Sequence, residues 1–113
     1  MKGAVTNLSP TLRGTLTRLE ERVGFELTIN SGYRDPEHNR DVGGVPDSEH
    51  TNDPADGADV LCIRSVTRFK ILKHLLEMGV TRIGIGKDFI HVGVSLDKPQ
   101  CVCWHYYPAK KEA

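Results

Sequence analysis

Apolar residues at Leu12, Leu16, Leu19 and Val23 recur at steps of four, three and four, which places them on one stripe of an α-helix. The flanks agree with that reading. Ser9 can cap the start, Pro10 suits a first helical position that needs no N–H, and Gly24 follows the last stripe residue. The period then changes to two: Phe25, Leu27 and Ile29 alternate with Glu26, Thr28 and Asn30, the pattern of a half-buried strand over 25–30. Asp35-Pro36 can open a short helix reaching Arg40. Between Asp41 and Gly57 neither period holds, and Gly, Pro, Asp, Ser and Asn dominate; a loop this long in a compact domain is usually functional or disordered. Asp59-Val60-Leu61-Cys62-Ile63 resumes as a strand buried on both faces. Ser65 is expected to cap a second long helix, with Phe69, Leu72, Leu75 and Leu76 turned inward and Gly79 just past its end. Residues 81–86 and 89–95 alternate around Gly86-Lys87-Asp88 as a β-hairpin, and a last short strand is expected within 102–107.

This order of elements predicts an α+β fold with a mainly antiparallel sheet and two to three helices. The chain has 113 residues, which fits one domain over 1–113 with a single modest core. Fifteen basic and fifteen acidic side chains cancel, so no broad electrostatic pull toward nucleic acid or membrane exists, and neither is expected as a partner. The opening MKGAVTNLSP lacks the apolar core of a signal peptide, and no apolar run approaches a bilayer span. The expectation is a monomer made in the cytoplasm, with any export left to other means. Cys62, Cys101 and Cys103 are an odd set, and C-x-C is unlike the C-x-x-C of zinc ribbons, so they read as reduced thiols.

Metal-ligand chemistry gathers in two places. His50 and Asp59 flank the end of the long loop, and His91 sits inside the apolar strand Phe89-Ile90-His91-Val92-Gly93. In that strand Phe89, His91 and Gly93 share one face. A histidine among apolar neighbours needs partners for both ring nitrogens; a satisfied core histidine is one solution and a zinc ion with a supporting acceptor is the other. Two His and one carboxylate are a usual catalytic zinc set, leaving a position for water whose proton a base must take. Asp88, three residues before His91, is the candidate base: it faces away if it lies in the strand, but in the preceding turn it can lean over the same opening.

Ser31-Gly32-Tyr33-Arg34, Pro36-Glu37-His38-Asn39, Val42-Gly43-Gly44-Val45, Ser48-x-His50, Gly57-Ala58-Asp59, Gly84-Ile85-Gly86 and Phe89-Ile90-His91-Val92, taken in order, resemble the M15 peptidases over roughly residues 25–95. These are zinc D-alanyl-D-alanine carboxypeptidases and L-alanyl-D-glutamate endopeptidases, phage endolysins among them. The resemblance implies a zinc fold of the hedgehog and D-Ala-D-Ala-peptidase kind, with His50, Asp59 and His91 on the metal. It also implies that Arg34 binds a substrate carboxylate or steadies the oxyanion, and that Asp88 is the general base. Two departures stand out. His50 to Asp59 is nine residues where the family usually has seven, which leaves Asp53 and Asp56 as rivals; Asp59 is preferred because a rigid strand follows it. Gly93 stands where relatives often carry an Asp after His-Val, which bears on the support of His91.

Other residues carry two readings each. Arg34 pairs on the surface with Asp35 or Glu37, or acts in the site; Ser48 positions His50 or contacts substrate. Trp104, Tyr106 and Tyr107 wall a groove or fill core, with Trp104 the substrate contact to test; His38, His74 and His105 read as solvated or structural, with His105 a reserve for the site. The expected activity is zinc-dependent hydrolysis of a peptide bond in the peptidoglycan stem peptide, on the cell wall, with endopeptidase favoured over carboxypeptidase. The alternatives are a non-catalytic zinc-binding module and a phage structural or assembly protein that keeps the fold.

Overall fold

The computed structural model describes residues 1–108, and the tail Lys110-Lys111-Glu112-Ala113 lies outside them. The first helix, α1 (Pro10–Val23), has the expected ends: the Ser9 side chain accepts from the Leu12 N–H, and Gly24 takes the left-handed conformation at φ 81° that stops the helix. Its stripe of Leu12, Leu16 and Leu19 is fully buried. A strand β1 (Lys2–Gly3), which the sequence pattern does not announce, pairs in parallel with β2 (Thr28–Ser31). That second strand starts later than its alternation suggests: Leu27 and Ile29 are buried, while Phe25 stays partly exposed before it. Asp35 caps α2 (Pro36–Asp41) through its side chain.

In the long loop the one regular piece is a 3-10 turn, Glu49–Thr51, and the loop ends on β3 (Gly57–Leu61). Next come α3 (Ser65–Glu77), the hairpin of β4 (Arg82–Ile85) and β5 (Phe89–Gly93), and β6 (Val102–His105). The helix α3 departs from expectation in two ways. Arg64 holds the cap position with no side-chain bond, so Ser65 is already helical. Ile71 and Leu75 are the buried residues, and Phe69 and Leu76 face outward. Apolar residues occur on more than one side of α3, so period alone does not choose its buried stripe.

The strand order is β1-β2-β3-β5-β4-β6, with antiparallel pairing in the middle and a parallel pair at each edge. Alternation gives the sheet two unlike faces. Ala58, Val60, Ile83, Ile90 and Val92 join the leucines of α1 and α3 in one core cluster. The opposite face carries the polar residues, and register aligns them. Ser31 pairs with Asp59, Asp59 with His91, His91 with Gly84 and Gly84 with Trp104, one row across five strands. A neighbouring row runs Gly57, Gly93, Arg82, Val102.

Candidate metal centre

Asp59 and His91 meet because they are register partners on the polar face of β3 and β5. His50 reaches them from above the sheet on the 3-10 turn. Ser48 starts that turn by accepting from the His50 N–H at 3.2 Å, and the His50 carbonyl accepts from the Arg34 N–H at 2.8 Å. One ligand atom from each of His50, Asp59 and His91 lies within 4.8 Å of the others, and all three residues are buried.

Proton accounting shows what the cluster needs. The His50 Nδ1 faces the Gly32 carbonyl at 2.7 Å, and a carbonyl only accepts, so Nδ1 carries the proton. Its Nε2 lone pair then points at Asp59 Oδ1, 3.2 Å away. His91 repeats the pattern: Nε2–H donates to Glu49 Oε1 at 3.1 Å, and Nδ1 faces the same Asp59 oxygen at 3.0 Å. With both rings neutral, two nitrogen lone pairs and a carboxylate oxygen converge, an arrangement that calls for a cation between them. The donor set fits a zinc ion.

In the protein alone, a proton on His91 relieves this convergence. Burial disfavours the imidazolium, but the hydrogen bonds and charges of Asp59 and Glu49 outweigh it and raise the His91 pKa. Burial likewise opposes ionisation of Asp59, yet hydrogen bonds and charges of the two histidines hold its carboxyl far below the usual carboxylate range. Glu49 is lowered too: against burial act the His91 hydrogen bond, the Ser95 N–H, and the charges of His91 and Arg82.

Arg34 belongs to this site, as a clamp on its carboxylate. Its Nη2 stands 3.5 Å from Asp59 Oδ2, while Nε donates to Ser31 Oγ at 2.8 Å and Nη1 to Asn39 Oδ1 at 3.2 Å. Beside His91 opens a cleft of about 570 Å³ lined by Val45, Ser48, Val102, Trp104 and Tyr106 among others. The Trp104 ring lies 5.5 Å from the His91 ring, and it can lie there because Gly84 is bare: a Cβ at 84 would stand 2.6 Å from Trp104 Nε1 and 2.7 Å from Tyr106 Cε2. Partial burial, with the charge of Asp59, pushes the Tyr106 hydroxyl pKa up against the Trp104 hydrogen bond that lowers it.

The rival carboxylates are engaged elsewhere. Asp53 accepts from Asn7 and Asp56 from Asn52, both through side-chain amides. Asp88, the expected base, stands in the bend just before β5. It is exposed, its carbonyl accepts from the Cys62 N–H at 2.8 Å, and its charge acts on the Cys62 thiol, whose side belongs to the helix core. The turn is closed by a Gly86 N–H to Phe89 carbonyl bond of 2.9 Å, and the Phe89 ring covers Gly86 and packs on Tyr106. His105 lines the cleft, but its Nδ1 accepts from the Tyr107 N–H. His74 pairs with Glu77, and the three cysteines are free thiols. Sequence reasoning missed Glu49: a glutamate in a loop rich in acids looks solvated, and only the bare glycines beneath it carry a signal.

The buried His–Asp–His cluster at the edge of a cleft makes this α+β domain a candidate metal-binding protein. The family model described as Peptidase M15 matches residues 1–93, and the chain belongs to that family. Membership supports a peptidase function. Searches of curated proteins and of solved structures returned no match.

Proposed function

We propose that the protein is a zinc peptidase that hydrolyses a peptide bond in the stem peptide of bacterial peptidoglycan, as an endopeptidase rather than a D-Ala-D-Ala carboxypeptidase. The observation that carries the zinc reading is the convergence of His50 Nε2, Asp59 Oδ1 and His91 Nδ1 with no proton donor left between the neutral rings. When bound, zinc would activate a water and polarise the scissile carbonyl.

The chain's own residues do the rest. Gly32 and Glu49 hold the outer protons of the two imidazoles, so both inner lone pairs face the metal position. Arg34 fixes Asp59 through Oδ2 and leaves Oδ1 to the cluster. The aromatic wall of Trp104 and Tyr106 offers a flat surface to an extended peptide, and the Tyr106 hydroxyl supplies a donor for charge developing on the substrate oxygen. In this reading the protein acts on the cell wall.

Digestion of purified sacculi by zinc-loaded protein, followed by mass analysis of the released fragments, tests the proposal. New amino termini within the stem peptide support an endopeptidase; loss of a terminal D-alanine alone supports the carboxypeptidase. The solvent exposure of Asp88 favours a second reading, a module that holds metal and binds peptide without cleaving it. Intact sacculi after incubation with fully zinc-loaded protein would select that reading.

A further inference from the structure

We infer that Glu49 is a positioning residue for the metal centre, and that the facing glycines Gly57 and Gly93 are the floor that lets it reach His91. The inference rests on the metal reading above and assigns a role outside the three ligands. Glu49 is 3% exposed, unusual for a glutamate in a polar loop. Each contact of its carboxylate is a donor or a cation. Oε1 accepts from His91 Nε2–H at 3.1 Å and stands 3.1 Å from Arg82 Nε, a charge contact without hydrogen-bond alignment. Oε2 accepts from the Ser95 N–H at 3.0 Å.

The sheet is shaped to admit this side chain. Gly57 and Gly93 are register partners on β3 and β5, in the row next to Asp59 and His91. A Cβ at Gly57 would lie 2.7 Å from the Glu49 Cβ and 2.7 Å from His91 Cε1. One at Gly93 would overlap the carboxylate, 2.5 Å from Oε2 and 2.7 Å from Cδ. Real Cβ atoms do not approach so closely, so a side chain at either position would force Glu49, or at Gly57 the His91 ring, to shift. Arg82, next in that row, supplies the countercharge.

The chemical consequence is a fixed tautomer. A carboxylate beside Nε2 keeps the proton on that nitrogen and turns the Nδ1 lone pair inward, and it makes the ring a stronger donor to a metal. Glutamine keeps the shape of Glu49, but its amide end would aim hydrogens at the Ser95 N–H or at His91 and Arg82. Only an anion satisfies every contact.

The test uses the full chain and zinc itself. Chelator competition should show Glu49→Gln and Gly93→Ala each binding zinc about 10–100-fold more weakly than wild type. In a double variant, Glu49→Ala with Gly93→Ala, the losses should not add, because both remove the same carboxylate. In zinc-loaded wild type, long-range ¹H–¹⁵N spectra of the His91 ring should show the proton on Nε2 and the metal shift on Nδ1, a readout that needs no variant to fold. Zinc affinity within twofold of wild type in folded Glu49→Gln, or a His91 ring protonated on Nδ1, would overturn the inference while leaving the metal site standing. A wild type that takes up no zinc would overturn the metal reading itself, and the role of Glu49 with it.

Discussion

Asp59, Asp53 and Asp56 are the same side chain in three settings, and the settings decide their roles. Asp59 is buried between two imidazoles and a guanidinium, while the other two accept from amides near the surface. Asp59→Ala is therefore expected to abolish zinc binding, and Asp53→Ala and Asp56→Ala to keep most of it; elemental analysis of the three variants decides, and zinc lost from Asp56→Ala alone would contradict the assignment. Arg34 bonds in three directions at once, to Ser31, Asn39 and Asp59. A lysine reaches one of them, so Arg34→Lys should weaken zinc binding by about tenfold or more in a chelator titration. Unchanged affinity would return Arg34 to a role toward substrate or to a plain surface pair. Asp88→Asn decides whether this exposed carboxylate is the base: an acting base would cost about 10²–10⁴-fold in peptide cleavage with zinc content unchanged, and cleavage within a few-fold of wild type would remove Asp88 from the mechanism.

At the scale of elements, legibility followed the strength of local signals. α1 was readable nearly to the residue because Ser9, Pro10, the leucine stripe and Gly24 all say the same thing. The hairpin of β4 and β5 was readable for a similar reason, with alternation on both sides of a tight turn. Where signals conflict, the pattern misleads: α3 has apolar residues on several faces, and only packing against α1 and the sheet selects Ile71 and Leu75. β1 is two residues long and exists through its pairing with β2, which no local pattern records. The meeting of His50, Asp59 and His91 was legible, yet the part of Glu49 was not, because its partner strand lies more than forty residues away in sequence. Two element-level outcomes follow. Leu16→Ala, at a fully buried position of α1, should cost about 2–5 kcal/mol in denaturant unfolding. Gly84→Val should push Trp104 and Tyr106 off β4 and, in the proposed reaction, lower kcat as well as raise KM for a wall peptide, because Trp104 would hold substrate and Tyr106 would donate to the developing charge.

At the scale of the molecule, division of labour between the two sheet faces explains how so small a chain holds a centre. One face gives its side chains to the helices and the core; the other gives a row of five residues from Ser31 to Trp104, with a clamp at one end and an aromatic wall at the other. Burying an aspartate between two histidines makes sense when a cation occupies the space they share. Zinc content is the measurement that meets this claim directly. Protein stripped with a chelator, supplied with zinc and freed of excess by gel filtration should carry one zinc per chain. A content near zero that added zinc cannot raise, in protein that remains folded, would contradict the account.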